Sequence, residues 1–426
     1  MTTALLTVGL LILLLLAGVP MLVSIMFIVG LNIILSGAWA MSLPQSMMSG
    51  MSLFMLLALP MFLLAGGIMN AGGISGRLFD FARSLVGWSR GGLAHVNVMT
   101  SMFFGGMVGS STADLAGTGS ILIPAMKKEG YTPEFSAAVT ASSAGVGPLI
   151  PPSSPMILYS AITGTSLGTL FLAGLIPGII LGATLMGIIT ILARRNGWQP
   201  TGTLAWREVV RSGARSILAF GMPAIIVGGL VLGIFTPTEG ASFAVAYALI
   251  VSCGIYRSLT LRDLHRIFGN AVQLTGELML IVSLSFALGS TLAILGVPAA
   301  IGNFIALLEF GESKFLVLVV LVGLAIIAGM ILDPLIPVLV PIILPALVMY
   351  DIDLVQFGVL MTMSVVIGQL TPPLAIALII TSRIASVDQM RIFVANLPFF
   401  IAIIAVTLIL MLFPIISTWL PSLAAR

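Results

Sequence analysis

The chain has 426 residues, of which 59% are hydrophobic and only 7% charged, with a formal net charge of +3. Soluble domains carry about 25% charged residues, so the composition excludes a soluble globular domain and predicts an all-α polytopic membrane protein. The mild basic balance calls for no nucleic-acid partner, and the single cysteine, Cys253, excludes an intramolecular disulfide and reads as a small core residue.

No charged side chain precedes Arg77. The apolar run that opens the chain has no Lys or Arg ahead of it, which predicts a retained membrane segment rather than a cleavable signal. Residues 4–35 divide into two short crossings around Gly18-Val19-Pro20, with one long tilted helix as the alternative. Residues 1–53 are thus the scaffold of a first repeat. Phe54 to Ser75 crosses inward, and Arg77 to Gly91 lies along the inner interface. Residues 97–126 have basic groups at both ends and Gly105-Gly106-Met107-Val108-Gly109-Ser110-Ser111-Thr112 in the middle. A segment that starts and ends on one side with a Gly/Ser break predicts a re-entrant hairpin. Residues 135–162 cross outward through Gly147-Pro148-Leu149-Ile150-Pro151-Pro152, and Leu170 to Ala193 returns, closing a repeat over 54–193. Arg194 to Arg215 is a basic cytoplasmic linker, and 216–273 is the second scaffold.

The second repeat, 274–426, follows the same plan upside down. Gly368-Gln369-Leu370-Thr371-Pro372-Pro373 stands 221 residues after the Gly147 motif, and Leu344-Pro345-Ala346 stands 221 after Ile123-Pro124-Ala125. Further upstream, Phe62 and Gly72 pair with Phe286 and Gly296 at an offset of 224. A second hairpin is predicted over 315–349, broken at Asp333-Pro334-Leu335-Ile336-Pro337, and a second broken helix over 354–382. A stretch around Asn303 to Glu312 lies outside. Of the 17 Lys and Arg, this topology puts all but Lys314 and Arg426 on one side, which marks the cytoplasmic face. The acidic pairs Glu309/Glu312 and Asp351/Asp353 fall opposite, and the five Trp, Trp39 among them, sit near segment ends. The termini are then periplasmic.

Matching broken hydrophobic segments in two halves point to a transporter's binding site. Proline removes an amide donor and blocks the bond to the preceding turn, so carbonyls around Gly145 to Ile150 and Val366 to Thr371 are predicted to be freed. Carbonyls, hydroxyls and one carboxylate suit a hard monovalent cation. A first Na⁺ site is drawn from Ser110, Ser111, Thr112, Gly145 and Gly147, and a second from Asp333, Val366, Gly368 and Thr371. For each hydroxyl the competing reading is a bond back to its own helix. Asp333 is the only acidic residue between Lys314 and Asp351. An intramembrane carboxylate is a functional candidate by default, and its competing reading is a helix cap before Pro334. Asp114 reads as a cap of the returning half-helix, with a direct role at the ion as the alternative. His95, Glu239 and Glu277 read as structural or interface groups. Ser153, Ser154, Pro151 and Pro372 are the candidates for contact with a substrate. Walker-type loops and His/Cys metal clusters are absent from the sequence, which argues against an enzyme.

At the motifs Gly105–Asp114, Gly147–Ser153, Thr236-Pro237-Thr238-Glu239 and Gly368–Pro373 the chain resembles the large membrane subunit of a tripartite ATP-independent periplasmic (TRAP) transporter of the DctM/SiaM type, in the ion-transporter superfamily. The resemblance implies inverted-topology repeats with two re-entrant helical hairpins and two broken helices, and a transport domain that slides in a scaffold as an elevator. It implies Na⁺ as coupling ion, a small four-helix membrane subunit as a separate chain, a periplasmic substrate-binding protein, and a small carboxylate substrate of the C4-dicarboxylate or sialic acid class. The place is the bacterial inner membrane bilayer. The alternatives are a stand-alone Na⁺/dicarboxylate symporter of the same superfamily and an ion channel.

Overall fold

A computed structural model describes residues 2–36, 42–200, 203–297, 300, 313–332 and 334–424. Asp333, Trp39, Arg426, Glu309/Glu312 and the stretch from Asn303 to Glu312 lie outside the described residues. Among the described residues the fold is built of helices, with no strand beyond an isolated bridge between Arg90 and Pro200. Among the described residues six helices are long and apolar enough to cross a membrane: Phe54–Ala71, Leu167–Arg195, Trp206–Val231, Pro237–Ile255, Leu261–Ile294 and Gln389–Leu412.

The first scaffold segment is two helices, α1 (Thr2–Leu16) and α2 (Met21–Ser36), which meet at Gly18 with φ 81° and Pro20. After α3 (Ser42–Met51) and α4 (Ala58–Ala71), the left-handed Gly73 turns the chain into α5 (Ile74–Val86). That helix is amphipathic. Ile74, Leu78 and Ala82 are buried, while Arg77 lays its guanidinium over the Tyr256 ring at 3.4 Å.

Helix α6 (Gly92–Val108) stops at Gly109, whose φ is 59°. The chain returns through α7 (Ser111–Asp114), a π-helical segment (Leu115–Gly119) and α8 (Ser120–Lys128). This is a helical hairpin with its tip at Gly109-Ser110. The first broken helix is α9 (Pro133–Ala144), started by the Thr132 cap and Pro133, followed by a 3₁₀ turn (Gly147–Leu149) and α10 (Ser154–Thr163). Helix α11 (Leu167–Arg195) returns.

In the second half come α12 (Trp206–Val231), α13 (Pro237–Leu249) with a π segment (Ile250–Ile255), and α14 (Leu261–Ile294). Then follow hairpin arms α15 (Lys314–Gly329) and α16 (Leu335–Met349), broken-helix halves α17 (Leu354–Gln369) and α18 (Ile376–Ala385), and α19 (Gln389–Leu412) and α20 (Ile415–Ala424).

Two boundaries differ from the sequence reading. The linker drawn as 194–215 is helical from Trp206, so only its first half connects elements. The division at 273/274 falls inside α14. A capping box at Thr260 and Asp263 starts that helix, and no proline interrupts its 34 residues. At 1.5 Å per residue it is about 51 Å long, more than the roughly 30 Å hydrocarbon layer, so one helix carries both its charged first turns and the apolar crossing.

The hairpins and broken helices interleave. In each half, the first hairpin arm packs on the first half of that repeat's broken helix: α6 on α9, α15 on α17. The second halves exchange: α10 packs on α16 of the other repeat's hairpin, and α18 packs on α7, the π segment and α8.

Candidate functional site

The two breaks are seated against the hairpins by glycine pairs. A Cβ on Gly105 would stand 2.6 Å from Gly147 Cα, and one on Gly368 would stand 2.5 Å from the Gly329 carbonyl carbon. Real Cβ atoms do not approach backbone this closely, so each pair permits direct backbone contact. Gly329 went unnoticed in the sequence, yet it lies 224 residues after Gly105, the offset that Phe62 and Gly72 already displayed.

The two breaks also meet each other. A Cβ on Gly145 would collide with the Val366 side chain, so the broken helices cross at these two residues. Val366 therefore points its side chain at the opposite repeat, and only its backbone is available to a ligand. Pro151-Pro152 and Pro372-Pro373 are both cis. Gly147 O accepts from Ile150 N at 3.2 Å and Gly368 O accepts from Thr371 N at 3.1 Å. The carbonyls are thus in 3₁₀-type bonds rather than wholly free, and each keeps a second lone pair.

At the first tip, Ser110 Oγ and Thr112 Oγ1 are 3.0 Å apart, so the two hydroxyls pair with each other rather than with a helix carbonyl behind them. Ser111 is buried beside them. Ser154 N donates to Gly109 O at 3.1 Å, which ties the tip to the break. The first hairpin thus meets the break at two points, Gly105 on Gly147 and Gly109 on Ser154. In the second half, Thr371 Oγ1 donates to Ile367 O at 2.6 Å, the bond back to its own helix. Its oxygen lone pairs remain available. The second tip is described only through Leu332 and Pro334, which bracket Asp333.

Ser153 is fully buried. Its hydroxyl donates to Pro148 O and accepts from Met156 N at 3.3 Å, so it caps α10 and closes the break instead of offering a proton to a ligand. Ser154 is half-buried next to it, and Pro151 is buried, whereas Pro372 is half-buried and Pro373 exposed. The first break is therefore enclosed and the second opens to the surface.

The remaining polar candidates have structural partners. His95 bonds through Nδ1 to Gly91 O and through Nε2 to Thr190 Oγ1, both at 3.1 Å. Glu239 completes a capping box with Thr236, and Glu277 accepts from Gln273 Nε2 at 3.0 Å. Asp114 does not cap its helix: its Oδ1 accepts from Thr118 Oγ1 at 2.7 Å, one turn further on. Sequence reasoning passed over the buried polar chain behind it, in which Asn97 Nδ2 donates to Thr140 Oγ1 at 2.7 Å and Ser143 Oγ to Asn97 Oδ1 at 2.9 Å. A row of Asn, Ser and Thr at helical spacing in α6 and α9 was the available signal.

Helices that cross a membrane, an internal repeat, and paired breaks seated on hairpins define a multi-pass membrane transporter component. The family model for the tripartite ATP-independent periplasmic transporter, DctM component, matches residues 8–416. The chain belongs to that family. It is 34% identical over 413 residues to the sialic acid TRAP transporter large permease protein SiaM of Vibrio cholerae, covering 96% of both chains. It is 35% identical over 371 residues to the C4-dicarboxylate TRAP transporter large permease protein DctM of Pseudomonas aeruginosa, covering 87% of this chain and 86% of that one. Against the sialic acid TRAP transporter permease protein SiaT of Haemophilus influenzae it is 36% identical over 373 residues, covering 87% of this chain but spanning 60% of that protein's length. Among solved structures, the Alcanivorax borkumensis YdaH transporter superposes with a TM-score of 0.62 at 13% identity, covering 88% of this chain and 87% of that one. The last likeness is one of fold.

Proposed function

We propose that this chain is the transport subunit of a Na⁺-coupled importer of a small organic acid, working by an elevator motion in the bacterial inner membrane. A small four-helix membrane subunit and a periplasmic binding protein that delivers substrate complete the assembly. The observation that carries the reading is the glycine contact repeated in both halves, Gly105 on Gly147 and Gly329 on Gly368, which seats each hairpin on a proline break. Hydroxyls, carbonyl lone pairs and one carboxylate are the ligand set of a hard monovalent cation. Ser110, Ser111, Thr112, Gly145 and Gly147 supply the first site. Asp333, Thr371 and the backbone at Val366 and Gly368 supply the second. The interleaved hairpins and broken helices form the moving body. The remaining helices, with α5 as a lever along the inner face, form the scaffold.

The named relatives are a sialic acid and a C4-dicarboxylate TRAP transporter permease, which supports a small carboxylate as the substrate class. No Arg stands in either break, so recognition rests on backbone amides and hydroxyls between Pro151 and Pro372, with Ser154 in reach and Ser153 acting as a cap.

The test is uptake into proteoliposomes carrying this chain and its small subunit. Ser110→Ala and Thr112→Ala are expected to raise the Na⁺ concentration for half-maximal uptake about tenfold each while expression stays near normal. Unchanged Na⁺ curves in both variants remove the first site. Uptake that needs no binding protein identifies a stand-alone symporter instead.

A further inference from the structure

Lys127 ends the first hairpin, yet its charge serves the other repeat. Its Nζ donates to Ala385 O, the last carbonyl of α18, at 3.1 Å and across 258 positions of the chain. Among the described residues, the ion pairs join Arg83 to Glu129, Arg266 to Asp263 and Lys314 to Asp351. The Lys127 ammonium therefore has a helix end as its partner and no carboxylate.

The local chain leaves that carbonyl open. Ser386 ends α18 in the left-handed region with φ 57°, and the amides of Ser386 and Val387 both return to Ser382 O. The last carbonyls of a helix lack intrahelical donors and carry partial negative charge, so a cation there is favourable. The same turn packs on the hairpin: a Cβ on Gly119 would stand 3.6 Å from Ile384 Cδ1. Above it, α18 runs along α7, the π segment and α8. The returning arm thus carries Ser111 and Thr112 of the tip at one end and Lys127 at the other. Helix α18 runs from the Gly368–Pro373 break to Ala385.

The tie is one-sided. At the offset of 221, Val348 stands where Lys127 stands, and Gly164 where Ala385 stands. Val348 is 67% exposed, and α10 ends on Gly164 with φ 73°. The second hairpin and α10 are built without a lysine, so the repeat fold itself does not require one.

We infer that Lys127 is a positioning residue that makes the two proposed Na⁺ sites respond together. It fastens the end of α18 to the arm that carries the first tip, so an ion that orders the tip also sets the second break. The coupling rests on the two-site reading above; the tie at Ala385 does not.

Equilibrium binding of ²²Na⁺ to the complex of this chain with its small subunit in nanodiscs tests it, with K⁺ as the background salt. Wild type is expected to bind cooperatively. Lys127 is exposed, so Lys127→Met opens no cavity. That variant is expected to bind the same number of ions with the cooperativity lost and the half-saturation raised about threefold. Lys127→Arg, which keeps a donor, should retain the wild-type curve. So should Lys128→Met, which removes the neighbouring charge. A Lys127→Met curve that matches wild type, or that Lys128→Met reproduces, overturns the inference. Loss of a whole ion equivalent also overturns it, since Lys127 would then be a structural support of one site. Hydrogen exchange at residues 384–388 reports the tie without any ion: it should be faster in Lys127→Met, and unchanged exchange overturns the tie. If wild type binds no Na⁺, the two-site reading falls and the coupling with it, while faster exchange in Lys127→Met still establishes the tie.

Discussion

The glycines at the breaks are unequal. A Cβ on Gly105 meets backbone at 2.6 Å, but one on Gly147 meets Gly105 Cα only at 3.5 Å, an ordinary contact. In the second half the order reverses: Gly368 is the intolerant partner at 2.5 Å, while Gly329 meets nothing nearer than Leu335 Cδ2 at 3.3 Å. Gly105→Ala and Gly368→Ala are therefore expected to push hairpin and break apart and cost about 1–3 kcal/mol, as overpacking does. Gly147→Ala and Gly329→Ala are expected to stay close to wild type. Thermal melts of the four purified variants, read with uptake, check this. Equal damage from Gly105→Ala and Gly147→Ala would sink the contact as described. At this scale the glycine, proline and hydroxyl positions were legible in the sequence, because backbone breaks need those residue types. The fates of individual hydroxyls were not. Ser110 and Thr371 look alike in the chain, yet one pairs with a neighbouring hydroxyl and the other with its own helix.

Among the elements, the returning arms of the two hairpins differ in a way the offsets foreshadow. Pairing is at 224 residues up to Gly105 and Gly329, and at 221 from Ile123 onward. The first half thus holds three extra residues between those points. The arm Ser111–Lys128 contains them, and it contains the π segment; the corresponding Leu335–Met349 is regular α-helix. Widened turns accommodate additional residues inside a helix of fixed ends.

The start of α13 offers a capping test. Glu239 accepts from Thr236 N at 2.8 Å and Thr236 Oγ1 at 2.7 Å, while Glu239 N donates to Thr236 Oγ1 at 3.4 Å. Thr236→Ala removes the side-chain half of this cap, which is worth about 1 kcal/mol. Amide exchange at residues 238–240 should therefore be faster in Thr236→Ala than in the wild type. Identical exchange in variant and wild type would mean that packing alone holds this helix end.

For the whole molecule, orientation is the open quantity that the charges address. Lys128 and Asp351 are both exposed, at the ends of the two hairpins. In a Cys253→Ala background, a cysteine at Asp351 is expected to react with an impermeant thiol reagent from the periplasm, and one at Lys128 is not. The reverse pattern would overturn the cytoplasmic assignment of the basic face and the inversion of the repeats together. Asp333→Asn should cause a large loss of Na⁺-driven uptake with the complex still assembled. Normal rate and Na⁺ dependence would reduce Asp333 to a helix cap.

The sequence by itself determined the membrane class, the repeat and the four break positions. Each rests on local chemistry: apolar length, proline's missing donor, glycine's missing Cβ, and the cost of charge in lipid. It did not tell that α14 runs unbroken through the assigned division, since helix continuity depends on the absence of a stop signal rather than on its presence. Nor did it tell that the second halves of the broken helices exchange between repeats, α10 onto α16 and α18 onto the π-bulged arm. Those contacts join residues more than 170 positions apart. Apolar surfaces that pack by shape carry no mark of their partner in composition or spacing, so only the folded chain decided that the two halves form one body.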